Sequence, residues 1–386
     1  MPTRPTWAEV SLPTLVNNYK LIRDFVAPQA TVCAVVKCDA YGHGAVECAR
    51  ALEAAGATWF GVTSADEGIE LRRAGIAGRI LLMSGIWRGE GEAVVEHCLT
   101  PAVWSAEQIS ELNSAAEKLH KDRFPIHIEV DTGMARQGVS AANLGYVLEA
   151  ARKARSLCVE GLHSHLASAE VVDAPDVEAQ LRAYQRALEQ LAAAEIRPAC
   201  LHLANSAAIV AHQDSWHGLS RSTSLVRPGI SLYGYYLPFV TAATQPSEKQ
   251  GPQVKPVLAW KTRIIDIREI EAGQGVGYNL TFVARERTRI ATLAVGYGDG
   301  LSRALSNNGQ LLVRGELAPI AGKISMDVTT IDVTKVPGVQ IGDEVVLIGE
   351  QNSRRITAAD LAANAQTIAY EVLCNISKRV PRNYVA

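Results

Sequence analysis

From about Ala30 onward, short β-branched runs alternate with longer amphipathic stretches, an order that predicts parallel strands joined by helices. Ala30 to Lys37 is the first clear strand. Ala45 to Ala55 then reads as a helix stopped by Gly56, Thr58 to Val62 as a strand, and Ser64 to Ala74 as a helix stopped by Gly75. Ser64 with Glu67, and Ser105 with Gln108, have the spacing of capping boxes, and the second opens a helix to about Leu119. Further strands are read at Arg79 to Met83, Ile126 to Val130, Val159 to His165, Ala199 to Leu203 and Val226 to Tyr233, with helices near Gly145 to Lys153 and Val177 to Ala194. Roughly eight such units by about residue 240 fit a β/α barrel better than an open sheet; a doubly wound sheet is the structural alternative.

The pattern breaks at Thr241 to Pro256, a polar stretch containing proline and the most linker-like segment of the chain. Residues 1–245 are accordingly assigned to a TIM-like barrel and residues 246–386 to a mostly antiparallel β domain, with the first residues left to pack against the latter. Alternating runs at Val257 to Ile267, Thr288 to Val295, Gln310 to Val313 and Glu344 to Ile348 support the second assignment. Only Ala358 to Leu373 reads as helical there.

Composition narrows the class of partner. Lysine and arginine number 38 against 40 acidic residues, so no charge excess calls for nucleic acid or an anionic membrane, and a small-molecule substrate fits better. The seven cysteines include no C-x-x-C pair, which argues for reduced thiols and a cytoplasmic location. No uncharged run reaches the roughly 18 residues of a membrane span.

The sharpest local feature is Val35-Val36-Lys37-Cys38-Asp39-Ala40-Tyr41-Gly42-His43-Gly44, a lysine closing an apolar strand before a glycine-punctuated turn. In a barrel this is the rim where catalytic groups gather. A solvated strand-end lysine is the bland alternative. A lysine desolvated by Val35 and Val36 would have a lowered pKa, and its neutral amine could attack an aldehyde.

That stretch resembles the lysine motif of the alanine racemase family, whose members use pyridoxal 5′-phosphate (PLP), with Cys38 where a small residue such as alanine is usual. Further blocks match in order: Asp131-Thr132-Gly133-Met134-Ala135-Arg136, His202-Leu203-Ala204-Asn205-Ser206, Arg227-Pro228-Gly229-Ile230, Tyr233-Gly234, Gly277-Tyr278, Gly296-Tyr297-Gly298-Asp299-Gly300, Ser325-Met326-Asp327, Tyr370-Glu371 and Arg379-Val380-Pro381. The likeness extends over essentially the whole chain and implies an alanine racemase.

The resemblance implies that Lys37 carries PLP and serves as one of two catalytic bases, with Tyr278 as the other. Racemisation removes a proton from one face of Cα and delivers one to the opposite face, so two opposed groups suit it. His165 and Arg227 are implied to tune Tyr278, and Arg227 to face the pyridine nitrogen. Tyr41, Ser206, Gly229, Ile230 and Tyr370 match the phosphate contacts, and Asn205 belongs to the same cofactor-binding set. Ser206 also reads as a cap for the helix beginning at Ala207. Arg136 and the backbone of Met326 match contacts to the substrate carboxylate, while Tyr297, Asp327, Lys323 and Glu170 match the entry corridor. A homodimer with shared active sites is implied as well, with Tyr278 and Met326 supplied by the partner.

Two departures stand out. Glu129 occupies a position where some relatives carry a carbamylated lysine, and the expectation is that its carboxylate supplies negative charge to Arg136, directly or through a water or an ion. Lys323 and Glu170 stand where other members often carry arginine and aspartate. The pair His163 and His165 lacks a third ligand at a telling spacing, so no metal is expected. Gly275-Val276-Gly277 follows no βαβ unit that would make it a nucleotide loop. Rival readings are a broad-specificity or serine racemase on the same scaffold, a non-enzymatic PLP homeostasis protein, and a related decarboxylase. Tyr278 and the second domain argue against the homeostasis protein, and the decarboxylase's cysteine motif is not evident.

Overall fold

In the computed structural model, residues 4–218 and 223–385 are described. The chain divides into two compact units. One comprises the described residues of Met1–Thr14, Tyr41–Gly44 and Pro256–Ala386; the other comprises Leu15–Ala40 and Ala45–Lys255.

In chain order, the strands up to Val226 are β1 (Thr6–Ser11), β2 (Ala30–Val35), β3 (Trp59–Val62), β4 (Arg79–Leu82), β5 (Leu99–Val103), β6 (Phe124–Asp131), β7 (Val139–Ser140), β8 (Leu157–His163), β9 (Cys200–His202) and β10 (Thr223–Val226). The helices are α1 (Leu12–Val26), α2 (Lys37–Gly42), α3 (Ala45–Ala54), α4 (Ala65–Arg73), α5 (Gly91–Glu96), α6 (Ala106–Lys118), α7 (Leu144–Lys153), α8 (Pro175–Ala193) and α9 (Ser206–Ala211). Strands β5-β4-β3-β2-β10-β9-β8-β6 follow one another in the sheet, and a β5–β6 pairing closes it into a parallel barrel of eight strands, with β7 added beside β6. Barrel strands are buried on both faces, which is why they read as continuous apolar runs rather than alternating ones. Cys33, Trp59, Leu81, Cys200 and Leu225 form one buried cluster from five of them.

Local chemistry sets the element ends. At α4 both halves of the capping box form: Ser64 Oγ accepts the Glu67 N–H and Glu67 accepts the Ser64 N–H. At α6 only half does, because Gln108 Oε1 accepts the N–H of Trp104 rather than that of Ser105. The strand expected over Val226 to Tyr233 ends at Val226 instead, and Ile230–Tyr233 forms a 3₁₀ turn. Pro228 has no N–H for the ladder, and Gly229 precedes the turn. The linker-like stretch stays with the barrel unit as far as Lys255, whose N–H donates to Asn18 Oδ1 (2.9 Å).

The other unit is mostly antiparallel β. Its strands are β11 (Leu258–Ile270), β12 (Gly275–Val276), β13 (Phe282–Val283), β14 (Thr288–Leu293), β15 (Gln310–Val313), β16 (Glu316–Pro319), β17 (Thr329–Asp332), β18 (Glu344–Gln351), β19 (Arg354–Ile356) and β20 (Arg382–Val385). The main path runs β16-β15-β18-β11-β1-β20. Ala8 of β1 lies opposite Trp260 on its antiparallel side and Arg382 on its parallel side. The alternation in Thr6–Ser11 matches this placement, with Thr6, Ala8 and Val10 buried. The single helix expected over Ala358 to Leu373 is two, α10 (Ala358–Ala365) and α11 (Ala369–Cys374), separated where Gln366 adopts a left-handed conformation (φ 56°).

Candidate active site

Strand β2 ends at Val35, one residue earlier than Val36 and two earlier than the lysine it was expected to contain. Its end is tied to two neighbouring barrel loops: Val35 N–H donates to Pro228 O (3.1 Å) and Val36 N–H to Gly61 O (2.9 Å). Lys37, half-buried, then opens α2. This helix is unusual, because Cys38, Asp39, Ala40 and Tyr41 all have φ of 52–53°. L-residues in succession at positive φ make a left-handed turn, which costs about 1–2 kcal/mol per residue. Hydrogen bonds hold it: Glu67 Oε1 accepts the Cys38 N–H (2.6 Å), and Asp39 Oδ1 accepts the Ala45 N–H (2.7 Å). Strain of this kind, beside a lysine at the barrel rim, marks a candidate functional site.

Arg227, 4% exposed, follows β10. Its N–H donates to Ala204 O (2.9 Å), and it bridges Asn205 in the adjacent loop. Nη1 donates to His202 Nδ1 (2.8 Å); Nη2 donates to Ser164 O (2.8 Å) and Leu203 O (3.1 Å) and lies 3.3 Å from His165 Nδ1. None of these bonds uses Nε. His165 is held well below its ordinary pKa, first by burial and then by the positive charges of Arg227, Arg136 and, more weakly, Lys37. Three cations singled out from the sequence therefore push in one direction, each disfavouring the protonated form of a single imidazole.

Asn205 rather than Ser206 caps α9, its Oδ1 accepting the N–H groups of Ala207 (3.1 Å) and Ala208 (3.0 Å). Ser206, relieved of that duty, is buried and gathers donors: its Oγ receives the N–H groups of Gly229 (2.9 Å) and Ser231 (3.3 Å) and lies 3.0 Å from Ser231 Oγ. Ile230 is buried beside them. A cluster of N–H and hydroxyl groups at the rim suits an anion, and the unused Nε–H of Arg227 suits a ring acceptor. These residues fit a phosphorylated pyridine. In the other unit, the rings of Tyr41 and Tyr370 approach to 6.0 Å between centroids.

Among the described residues no direct ion pair joins Glu129 to Arg136, although both line one small cavity with Gln137 and His165. Its carboxylate accepts from Gln137 Nε2 (2.9 and 3.1 Å) and stands 3.1 Å from His163 Nε2, both within the barrel. Although burial raises its pKa, the nearby His163, the hydrogen bond from Gln137 and the charge of Arg227 together lower it more. Arg136 is exposed, while Asp131 Oδ1 accepts the N–H groups of Gly133 and Ala135 and shapes the loop that carries it.

Tyr278 (69% exposed) and Met326 (53%) project from the β unit, with Leu280, Val283, Tyr297 and Val328 also exposed there. Gly277 adopts φ 70° immediately before Tyr278, a conformation suited to glycine. Tyr297 N–H donates to Ser325 O, and Gly298 N–H to Met326 O. Arg4 and Arg379 both pair with Asp299 and Asp327, holding the segment that bears Met326. Of the corridor set, Tyr297, Lys323 and Asp327 belong to this unit and Glu170 to the barrel unit, where Glu170 O accepts the Val240 N–H (3.1 Å).

The sequence reading missed His127, Glu160 and the full environment of His202. These lie on β6, β8 and β9 with side chains inside the barrel, and an inward histidine on a buried strand leaves no motif. Among the described residues, no cluster of histidine, cysteine or acidic side chains could hold a metal, and no helix is long and apolar enough to cross a membrane.

A closed β/α barrel with a strand-end lysine and a buried rim arginine, followed by a mostly antiparallel β unit, defines the fold-type III class of PLP enzymes. Residues 10–237 match the model of the alanine racemase N-terminal domain and residues 257–384 that of the alanine racemase C-terminal domain. The chain belongs to the alanine racemase family, and is a PLP-dependent isomerase. The alanine racemase of Halothermothrix orenii is 40% identical over 384 residues, 99% of this chain and 97% of that protein. The crystal structure of alanine racemase from D-cycloserine-producing Streptomyces lavendulae superposes with a TM-score of 0.90 at 32% identity, covering 100% of this chain and 98% of that one. The alanine racemase of Bartonella henselae, solved with covalently bound pyridoxal phosphate, gives a TM-score of 0.85 at 31% identity and 99% coverage of each chain.

Proposed function

We propose that this chain interconverts L-alanine and D-alanine with Lys37 and Tyr278 as bases on opposite faces of Cα. What supports the reading is the match to both alanine racemase domains together with the barrel rim, where Arg227 Nη2 lies 3.3 Å from His165 Nδ1 and Lys37 follows the end of β2. Bound PLP supplies an electron-accepting ring conjugated to Cα, which makes its proton removable. Lys37 would hold that cofactor covalently and move a proton at its Nζ, while Tyr278 would move the second at its Oη. Arg227 keeps its own proton, so its Nε–H would bond a pyridine nitrogen without protonating it, which favours return of the Cα proton over transamination. Tyr41, Ser206, Gly229, Ile230 and Tyr370 would hold the phosphate, with Asn205 fixing the loop that presents Ser206. Arg136 and the Met326 N–H would take the substrate carboxylate, and Tyr297, Lys323, Asp327 and Glu170 would line the approach.

The exposed apolar surface around Tyr278, Leu280, Tyr297, Met326 and Val328 supports pairing with a second copy of the chain, so that each site takes Tyr278 and Met326 from the partner. Two measurements test this function. Borohydride reduction of the purified protein should label Lys37 and abolish the cofactor's visible absorbance. Mixing inactive Lys37→Ala and Tyr278→Phe proteins should restore activity through heterodimers with one competent site; absence of recovery despite subunit exchange would refute shared sites.

A further inference from the structure

A line of polar side chains runs through the apolar barrel from Arg79 and Glu160 to Arg227. Arg79 Nη1 and Nη2 donate to Glu160 Oε1 and Oε2, each at 2.5 Å. Glu160 Oε2 lies 3.3 Å from His127 Nε2, His127 Nδ1 lies 2.8 Å from His202 Nε2, and His202 Nδ1 lies 2.8 Å from Arg227 Nη1. His127 and His202 are completely buried. We propose that Glu160, acting through His127 and His202, is a positioning residue that fixes the protons on both imidazoles and so holds Arg227 in its working orientation.

The ends of the line dictate its direction. Arginine can only donate and an ionised carboxylate can only accept, whereas a neutral imidazole must do one at each nitrogen. Arg227 therefore requires His202 Nδ1 to be bare, which puts the proton on His202 Nε2. That proton points at His127 Nδ1, which must be bare in turn, so His127 carries its proton on Nε2 and donates it to Glu160. Every contact is satisfied in this one arrangement. Moving either proton to Nδ1 sets donor against donor inside a buried network, where an unmade hydrogen bond costs about 1–3 kcal/mol.

The surroundings favour this state and no other. Burial disfavours the doubly protonated form of both histidines, and an imidazolium at either would set donor against donor at His202 Nδ1 or His127 Nδ1, so each ring has a single proton to place. Arg79 stacks on Trp59 with its guanidinium carbon 4.3 Å from the ring centroid, and Nη2 also reaches Thr100 Oγ1 (3.3 Å). The carboxylate is thus clamped at the far end. Room for His127 comes from Gly161 on the adjacent strand β8: a Cβ there would lie 2.4 Å from His127 Nδ1. Neither Glu160, His127 nor Arg79 belongs to the residues proposed to touch cofactor or substrate. The link to catalysis rests on the reading of Arg227 as the pyridine partner; the line of protons does not.

The test uses full-length holoenzyme labelled with ¹⁵N-histidine, in which long-range ¹H–¹⁵N correlations report which ring nitrogen is protonated. The expected result between about pH 6 and 8 is neutral imidazole with Nε2–H for both His127 and His202. Glu160→Gln keeps an acceptor oxygen between His127 and Arg79 and should preserve both tautomers. Glu160→Leu removes it, and should mix the tautomers of both rings and lower kcat about tenfold while KM changes less than about twofold. An Nδ1–H tautomer or an imidazolium at either histidine of the unaltered protein would overturn the proposal, and that measurement needs no variant to fold. So would an unchanged His202 spectrum in Glu160→Leu. Tautomers as expected with kcat unmoved in Glu160→Leu would leave the line intact and refute its link to Arg227.

Discussion

Glu67 offers a quantitative test of how the lysine-bearing turn is held. Its Oε2 accepts the N–H groups of Thr63 (2.8 Å) and Ser64 (3.3 Å) and the Thr63 hydroxyl (3.2 Å), and its Oε1 accepts the Cys38 N–H (2.6 Å). Replacing Glu67 with alanine removes half of the α4 capping box, worth about 1 kcal/mol. It also removes a charge-assisted bond to Cys38, worth about another 1 kcal/mol because that N–H is exposed and water can replace the carboxylate. Global stability should therefore fall by about 2 kcal/mol, read from urea unfolding. Activity should fall further than that loss explains. The four residues at positive φ stay there at a cost of about 1–2 kcal/mol each, and releasing the tether at Cys38 lets the turn relax and swing the amine of Lys37. Misplacing a reacting group by about 1 Å costs up to about 100-fold. Steady-state kinetics on folded protein should show kcat down by 10- to 100-fold, an order-of-magnitude expectation on the same basis. A variant that loses about 2 kcal/mol yet keeps kcat within about twofold would refute the role of this tether in placing the lysine.

Three further outcomes follow from the geometry. Burial depresses the pKa of His127, His163, His165 and His202 below the ordinary 6.5, so below that pH the unfolded chain binds protons that the folded chain refuses. Stability should hold above about pH 6.5 and fall below it by up to about 1.4 kcal/mol per pH unit for each histidine, and a flat urea midpoint between about pH 7.5 and 5.5 would contradict this. Gly161→Ala should displace His127 and lower melting temperature and kcat together; retention of both would mean that the ring has another place to go. On the proposed placement of Tyr278, Tyr370 and Met326 around the substrate, alanine should be the preferred substrate, and leucine or phenylalanine turned over equally fast would refute a small pocket.

Much of the fold was legible because barrel strands and helices obey different periods. The alternation from Ala30 onward and the capping pair Ser64 and Glu67 survive in the structure with small shifts at most ends, whereas α5 and β5 were not among the expected elements. Reading failed where a single residue overrides a pattern. Pro228 stops an apolar run from continuing as a strand, and Gln366 turns left-handed and splits a helix. Among candidate site residues, Lys37 and Arg227 stand beside glycine-punctuated turns, where sequence carries the signal. Glu129 illustrates the opposite case. Its type suggested a partner for Arg136, but which neighbour it meets depends on the facing of β6 and β8, and His163 lies across the strand pair. His127 and Glu160 were invisible for the same reason.

The position of β1 in its sheet bears on how the protein is made. Thr6–Ser11 leaves the ribosome before the barrel strands, yet it pairs with Leu258–Ile270 and with Arg382–Val385, which both emerge after them. All the barrel strands are synthesised before either partner exists, so the barrel can close during translation while the N-terminal strand waits. Completing that sheet then requires closure of loops of several hundred residues, a slow step in which an unpaired edge is open to wrong partners. Deletion of Thr6–Ser11 or of Arg382–Val385 would therefore act on the same sheet, two segments far apart in sequence serving one late event of assembly.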